Sequence, residues 1–177
     1  MLRLRSFALP LLWLGAALLV AAVVAYAFGV RFTLTPSVPR GFYVQTDDSV
    51  DIDRLVTFCP PQDVAAYALE RGYLHRGNCP GGVEPLGKYV LAAEGDTVTL
   101  TEEGMMVNGR AVPNSAVHTQ DTVGRELPHY GFGEHTVGED SLFLFSGHHP
   151  RSFDSRYFGP VPMSSVRGVL RPLWTFD

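Results

Sequence analysis

Residues 33–43 read Thr-Leu-Thr-Pro-Ser-Val-Pro-Arg-Gly-Phe-Tyr, and they begin just past an apolar run of membrane length. The prolines, Pro36 and Pro39, fix their own φ angles and push the residue before each of them toward extended geometry. Gly41 then permits a turn that a β-carbon would resist. Ser37 is therefore presented on a rigid segment, which suits either a nucleophile or an ordinary turn serine.

The apolar run before this stretch is long enough to cross a membrane. Residues 9–30 carry no formal charge and are mostly Leu, Ala, Val or aromatic. A helix needs about 20 apolar residues to span the hydrocarbon core of a bilayer. We therefore predict a single-pass transmembrane anchor over residues 9–30. Because Arg3 and Arg5 precede it, the positive-inside rule places residues 1–8 in the cytoplasm and residues 31–177 outside it.

A cleaved signal peptide is the alternative to an anchor. Ala25-Tyr26-Ala27 has the A-x-A form of a cleavage site, but the apolar core of a signal peptide is usually about 7–15 residues, shorter than this run. Cleavage there would also leave Ser37 close to the new N-terminus. We favour the uncleaved anchor, and both alternatives place the rest of the chain outside the cytoplasm.

Composition limits the class of protein. The chain has 177 residues, which allow one domain behind an anchor. A net charge of −4 gives no basic footprint, so we expect no nucleic acid as a partner. The sequence has no glycine loop that could cradle a phosphate and no cluster of metal ligands, so we expect no cofactor and no metal. Thirteen prolines and eighteen glycines suit a turn-rich β domain.

Short apolar or alternating segments between turn residues predict a mainly β fold, an antiparallel β domain behind one transmembrane helix. One further helix is predicted over residues 62–71, with Gly72 just past its end. Asn108-Gly109 predicts a hairpin turn. Residues 114–140 are polar, and no element is predicted there. The predicted strands are residues 41–44, 54–58, 87–93, 97–100, 105–107, 141–145 and 166–170.

The two cysteines, Cys59 and Cys79, both lie in the part predicted to be exported. In an oxidising compartment such a pair predicts a disulfide, which would close a loop of about 20 residues and stabilise the fold by about 3 kcal/mol. Since the predicted helix lies inside this loop, residues 59–79 are predicted to form a surface insertion held at its base. A zinc site is disfavoured because no Cys-x-x-Cys is present.

A serine nucleophile needs a base, and the six histidines show no clear pattern for one. A lysine can serve if burial leaves its amine neutral near about pH 7. Lys88 is the only lysine of the sequence, and it lies in an apolar strand where a charged surface lysine would be out of character. A lysine that protects an edge strand from aggregation is the other reading of Lys88.

Three stretches resemble the boxes of signal peptidases, in the order in which that family carries them. Residues 37–43 resemble the nucleophile box, and Lys88 followed by Asp96 resembles the lysine box. Residues 152–161, Ser-Phe-Asp-Ser-Arg-Tyr-Phe-Gly-Pro-Val, resemble the C-terminal box. One departure is Glu94-Gly95-Asp96, where the family commonly has Pro-Gly-Asp. The resemblance covers most of the chain.

The resemblance implies a serine endopeptidase of the bacterial inner membrane whose catalytic domain faces the periplasm. It implies that Ser37 attacks the scissile carbonyl while neutral Lys88 takes its proton. The Ser37 backbone N–H and the Thr35 hydroxyl are the candidates for the oxyanion hole.

The C-terminal box supplies the remaining site residues. The resemblance implies that Ser152 and Asp154 orient the lysine amine and that Asp154 also pairs with Arg156. A turn ion pair that serves only the fold is the alternative for this box.

Within the family, the Ser-x-Pro-x-Gly-x-Tyr form and the C-terminal box most resemble the conjugative-transfer (TraF-type) branch. Those peptidases mature the pilin subunit of a plasmid transfer system, and some are linked to pilin cyclisation. The expected partners are therefore an exported, pilin-like precursor and the lipid bilayer. Two alternatives stay open: a housekeeping signal peptidase with secretory substrates, and a non-catalytic, anchored β module of an envelope assembly.

Overall fold

A computed structural model describes the backbone of residues 5–176 and the side chains of residues 9–176. The side chains of the predicted cytoplasmic head, residues 1–8, lie outside the described residues. The helices are α1 (Arg5–Ala27), α2 (Gln62–Arg71) and α3 (Ser155–Phe158). The strands are β1 (Val30–Thr33), β2 (Arg40–Thr46), β3 (Leu55–Phe58), β4 (Leu86–Ala93), β5 (Thr97–Leu100), β6 (Met105–Val107), β7 (Arg110–Val112), β8 (Gly133–Thr136), β9 (Ser141–Phe145), β10 (Val161–Pro162) and β11 (Val166–Phe176).

α1 covers residues 9–27 of the predicted anchor and ends three residues before its predicted boundary. Its segment Leu9–Ala27 is long and apolar enough to cross a membrane, by length and composition, and none of it is buried against the domain. The prediction that the helix continues to residue 30 is wrong, because Gly29 turns the chain with a φ of 82°. A β-carbon at Gly29 would lie 2.7 Å from the Gln45 carbonyl oxygen, so the turn beside β2 requires glycine.

The strands form two antiparallel sheets, as the alternating segments predict. The larger sheet has seven strands in the order β1-β2-β11-β3-β4-β9-β10, and the smaller sheet has four in the order β7-β6-β5-β8. Every pairing between these strands is antiparallel. The mainly β fold class is confirmed.

β9 joins the two halves of the core. Leu142 and Leu144 pack in one hydrophobic cluster, and Phe143 and Phe145 pack in the other. Alternate side chains point to opposite faces of a strand, so a continuous apolar run suits a strand that is covered on both faces. The prediction of an apolar strand over these residues is confirmed.

The predicted disulfide and helix are both confirmed. Cys59 and Cys79 are bonded, and α2 lies inside the loop that they close, with Gly72 in the left-handed conformation at its end. Ala65 and Ala68 are fully buried in the same cluster as side chains of β3, β4 and β9. The inner face of α2 therefore belongs to the core of the domain and not to a surface appendage.

Other boundaries differ from the predictions. The last strand was expected over residues 166–170, but β11 continues to Phe176 and passes a bulge between Pro172 and Trp174 while it pairs with β2. The polar segment 114–140 contains β8, which pairs with β5. The predicted Asn108-Gly109 hairpin turn is confirmed, since both residues have positive φ between β6 and β7.

Candidate active site

The single lysine of the sequence lies inside the larger sheet. β4 alternates buried and half-buried side chains, and Lys88 takes an inward position between Leu86 and Val90. It stands opposite the fully buried Val56 of β3, and its own side chain is 1% exposed. β4 lies between β3 and β9, so the alternative of an edge-strand lysine is excluded.

This position changes the acidity of the amine. Burial lowers the pKa of Lys88 from 10.5 to about 8; the Asp154 charge opposes this shift and the Arg156 charge adds to it. Among residues 9–176, Lys88 forms no ion pair with a carboxylate. A substantial fraction of the amine is therefore neutral just above neutral pH, which is the state that a general base requires.

Ser37 lies in the turn between β1 and β2, and the chain on its C-terminal side is held tightly. Val38 is buried against Tyr43 and Leu55. The Tyr43 hydroxyl donates a hydrogen bond to the carbonyl of Pro39. Because its neighbours are anchored in this way, half-buried Ser37 is kept at the protein surface in a defined position.

The glycine of the same stretch permits close packing of two strands. Gly41 has a φ of 149°, and a β-carbon there would lie 2.2 Å from the carbonyl oxygen of Trp174 on β11. Only glycine allows β2 to approach β11 this closely. Gly41 therefore serves the strand pairing that supports the Ser37 turn.

Two buried hydroxyl groups contact Ser37. Ser152, which is 2% exposed, donates a hydrogen bond to Ser37 Oγ at 3.3 Å. Ser146, which is fully buried, donates to the carbonyl of Ser37. With Ser152 as the donor, the hydroxyl proton of Ser37 remains available for a base.

Asp154 and Arg156 form a fully buried ion pair beneath the site. The Asp154 carboxylate caps α3 and accepts from Arg156 Nε at 2.8 Å. It also accepts from the backbone N–H of Ser146 at 3.3 Å. Arg156 donates further to the carbonyls of Ala116 (2.7 Å) and Ser152 (3.0 Å). The pair therefore ties together the segments that carry Ser146 and Ser152.

Ser37 and Lys88 line the same cleft, which has a volume of about 980 Å³. One wall is formed by the chain between α1 and β2, including Thr35. Further lining comes from residues 73–75 and 78 of the disulfide-closed loop, from part of the segment 118–127 and from residues 153 and 157 of the C-terminal box. The cleft is large enough to take several residues of an extended peptide.

Thr35 is exposed in the wall of this cleft, two residues before Ser37. Its hydroxyl shares a hydrogen bond with the hydroxyl of Thr33 at 3.1 Å. The backbone N–H of Thr35 also donates to Thr33 Oγ1 at 3.4 Å. These two bonds tie Thr35 to Thr33.

The sequence predictions missed Ser146 and His118. Ser146 directly follows the doubly buried strand β9, and a serine at the end of such a strand is the one local signal for it. His118 lies in the polar segment 114–140, for which no element is predicted, yet it lines the cleft. Among the residues that the structure describes, no group of three His, Cys, Asp or Glu side chains could hold a metal ion.

Comparisons with known proteins agree on one family. Residues 4–174 match the family described as signal peptidase, peptidase S26. The plasmid transfer protein TraF of Escherichia coli is 44% identical over 163 residues, which cover 92% of both chains. The conjugal transfer protein TraF of Agrobacterium tumefaciens (strain 15955) is 45% identical over 167 residues, which cover 92% of this chain and 93% of the relative.

A solved structure was also found, that of a signal peptidase I from Enterococcus faecalis V583. It matches 71% of this chain and 100% of its own, at 19% identity and a TM-score of 0.42. Since the family model matches residues 4–174, which is most of the sequence, the chain belongs to the signal peptidase family, peptidase S26.

Proposed function

We propose that this chain is a membrane-anchored serine endopeptidase that cuts an exported precursor with a Ser37–Lys88 dyad. Family membership supports a serine peptidase of the signal-peptidase type, and the TraF relatives support a role in conjugation. One observation carries the dyad: the single lysine of the chain is buried on a central strand, and it lines the same cleft as Ser37.

The chemistry follows from the state of these two groups. Ser37 Oγ attacks the carbonyl carbon of the scissile peptide bond while the neutral Lys88 amine takes the hydroxyl proton. The peptide C–N bond then breaks, and the ammonium of Lys88 returns the proton to the leaving amine. The acyl group stays on Ser37 as an ester until a second nucleophile releases it.

Two donors are proposed for the oxyanion that develops during the attack. The first is the Ser37 backbone N–H, and the second is the Thr35 hydroxyl in the same cleft wall. The loss of one such donor typically lowers turnover by about 10²–10³.

The C-terminal box is proposed to position the dyad. Ser152 acts on the nucleophile, since its hydroxyl donates to Ser37 Oγ. Asp154 acts on the base through its charge, which opposes the lowering of the Lys88 pKa. Arg156 holds Asp154 in place from a fully buried position.

The proposed substrate is the precursor of a conjugative pilin. The acyl-enzyme that this precursor forms with Ser37 can be resolved in two ways. Both begin with the same attack of Ser37 on the scissile carbonyl. Attack by water gives a linear product, whereas attack by the amino terminus of the same pilin chain gives a cyclic product. The names of the TraF relatives favour the pilin over the secretory precursors of a housekeeping signal peptidase.

The proposed location is the bacterial inner membrane, with the catalytic domain on the periplasmic side. α1 is the proposed anchor, and β1 begins three residues after α1 ends. Phe32, Phe42 and Trp174 form an aromatic face on the neighbouring strands β1, β2 and β11, and β1 follows the proposed anchor in the chain. The ring centroids of Phe32 and Phe42 are 4.7 Å apart, and those of Phe42 and Trp174 are 6.4 Å apart. An exposed tryptophan such as Trp174 is typical of the membrane–water interface.

The test is cleavage of a co-expressed pilin precursor in membranes by wild type and by Lys88→Arg. Arginine keeps the positive charge but cannot act as a base, so we expect cleavage by wild type and none by the variant. Immunoblots against both ends of the precursor would follow the cut.

Ser37→Ala is the second variant, and Arg110→Lys is the matched control because Arg110 lies on β7, outside the cleft that holds the dyad. Cleavage by the control at the wild-type rate would show that a conservative exchange of a basic residue is tolerated. Cleavage by a folded Lys88→Arg chain would overturn the dyad; another group would then be the base, and Lys88 would have a structural role.

A further inference from the structure

Gly87 lies inside β4, at a position where the fold itself does not require glycine. Its φ is not positive, so its backbone conformation suits other residues as well. Among the described residues outside its own chain neighbours, a β-carbon at Gly87 would meet only Leu170 Cδ1, at an ordinary contact distance of 4.0 Å. Glycine inside a strand weakens the strand and often marks the close approach of a ligand. The missing side chain therefore indicates a space that something outside the fold fills.

This space belongs to the cleft that holds the proposed dyad. Gly87 lines the cleft, and so does Leu170 of β11. Thr57, which stands opposite Gly87 on β3, lines it as well. A side chain added at Gly87 would thus enter the cleft and not the core of the domain.

The position is close to both members of the dyad. Leu170 packs against the cluster that contains Val38, the residue after Ser37. Gly87 directly precedes Lys88. Adjacent Cα atoms are about 3.8 Å apart and a lysine side chain reaches about 6 Å, so the Lys88 amine lies within about 10 Å of the Gly87 Cα. An extended peptide covers that distance in about three residues.

An extended peptide can reach Gly87 along one edge of β4. β3 pairs with residues 86–89, whereas β9 pairs with β4 from Tyr89 onward. In the described part of the chain, no strand therefore pairs with the second edge of residues 86–88, and all three residues line the cleft. Side chains alternate between the two faces of a strand, so a peptide beside this edge turns some of its side chains to the face of Gly87.

We propose that Gly87 determines specificity: the space left by its missing side chain receives an apolar side chain of the precursor, larger than that of alanine, from a residue within about three positions of the scissile bond. Leu170 supplies an apolar wall of this space. The inference rests on the proposed function and deepens it by naming a class of substrate side chain. Gly87 takes no part in the proton transfer, which stays with Lys88.

The experiment measures binding without catalysis, in full-length chains that carry Ser37→Ala and are purified in detergent micelles. The probes are a short fluorescent alanine peptide and the same peptide with one central leucine. With Gly87 present, we expect the leucine peptide to bind about tenfold or more tightly, because each buried methylene group favours binding.

Gly87→Val fills the space. We expect it to abolish the preference for leucine and to leave the Kd of the alanine peptide unchanged, while Gly87→Ala loses part of the preference. Gly138→Val is the matched control, since Gly138 also has room for a β-carbon and lies outside the cleft. Equal Kd values of the two peptides for the chain with Gly87 would overturn the proposal.

Unfolding of the same variants separates a binding role from a structural one. Valine suits a strand better than glycine, so we expect Gly87→Val to have an unchanged or higher unfolding midpoint. A lower midpoint with weaker binding of both peptides would overturn the proposal, because the fold would then need the glycine. An equal loss of affinity for both peptides in a stable chain would also overturn it, because Gly87 would then make room for the peptide backbone.

The two proposals fail in different ways. If wild type cuts the precursor and Gly87→Val keeps the preference for leucine, the specificity role is refuted and the dyad stands. If the Lys88→Arg chain still cuts the precursor while Gly87→Val loses the preference, the dyad is refuted and the specificity role stands.

Discussion

At the scale of the residue, Lys88 places an amine in the interior of a seven-stranded sheet. Its pKa of about 8, compared with the ordinary 10.5, means that the fold disfavours the charged form. A difference of this size corresponds to about 3 kcal/mol between the two protonation states. An apolar side chain at this position would avoid that cost and make the fold more stable. A buried lysine here therefore fits a chemical role.

We predict that Lys88→Met abolishes cleavage and raises the free energy of unfolding at about pH 7 by about 1–3 kcal/mol. The unfolded lysine holds its proton up to about pH 10.5, whereas the folded one loses it near pH 8. The free energy of unfolding of wild type therefore rises with pH between about 8 and about 10.5. Below about pH 8, the folded chain carries the full cost of burying a charged amine. The gain from Lys88→Met should accordingly disappear across the same window.

Urea unfolding of both chains, side by side from about pH 7 to about pH 10, measures this difference. Other titrating groups are common to both chains and cancel in the comparison. If Lys88→Met is less stable than wild type at about pH 7, the Lys88 amine stabilises the fold and the prediction is wrong.

At the scale of the element, the disulfide-closed loop forms part of the cleft. Tyr73, Leu74 and His75 line the cleft between the helix α2 and Cys79. We predict that the double variant Cys59→Ser, Cys79→Ser loses about 3 kcal/mol of stability. Because a loosened wall binds the substrate less well, KM for a model peptide should rise more than kcat falls.

Thermal unfolding and peptide-cleavage kinetics check this prediction, with reduced wild type as the matched control. Reduction should reproduce the behaviour of the double variant. An unchanged KM in a destabilised variant would show that the bond serves stability alone and that the cleft wall holds its shape without it.

The elements that local signals define could be predicted from the sequence, and those that tertiary pairing defines could not. The helix Gln62–Arg71 was predicted to the residue, because its apolar face and the glycine after it are local features. β1 was missed because Val30 continues an apolar run in the sequence. The turn at Gly29 depends on its close approach to the backbone of Gln45, which is a tertiary contact that the sequence does not show. β8 was missed because its partner, β5, lies far away in sequence.

The candidate site followed the same division. Ser37, Lys88 and Asp154 were named from their motifs, and the structure brings Ser37 and Lys88 to one cleft. The contacts of Ser146 and His118 could not be predicted, although Ser146 directly follows the buried strand β9. Such contacts depend on which loops meet above the sheet.

At the scale of the whole molecule, the aromatic face begins on β1, the strand that follows the apolar helix α1 in the chain. The sequence has two tryptophans, Trp13 in α1 and Trp174 on β11. We predict that Trp174, as the sole tryptophan of a Trp13→Phe chain in vesicles, is quenched by lipids brominated near the headgroups. Its side chain is 63% exposed in the absence of lipid, so it is free to enter the interface.

The matched control is Trp174→Phe, in which Trp13 reports the hydrocarbon interior through more deeply brominated lipids. Quenching of Trp174 by aqueous acrylamide, together with indifference to brominated lipids, would show that the aromatic face points toward water.

The order of strands in the larger sheet has a consequence for timing. β11 lies between β2 and β3, so the hydrogen-bonded link from β2, the strand that follows the Ser37 turn, to the β3–β4 pair runs through a strand that comes much later in the chain. A growing polypeptide therefore contains both Ser37 and Lys88 long before it can hold them together. Until residues 166–176 have been added and paired, the sheet that brings the two side chains to one cleft is incomplete, so we expect an unfinished chain to have no cleavage activity.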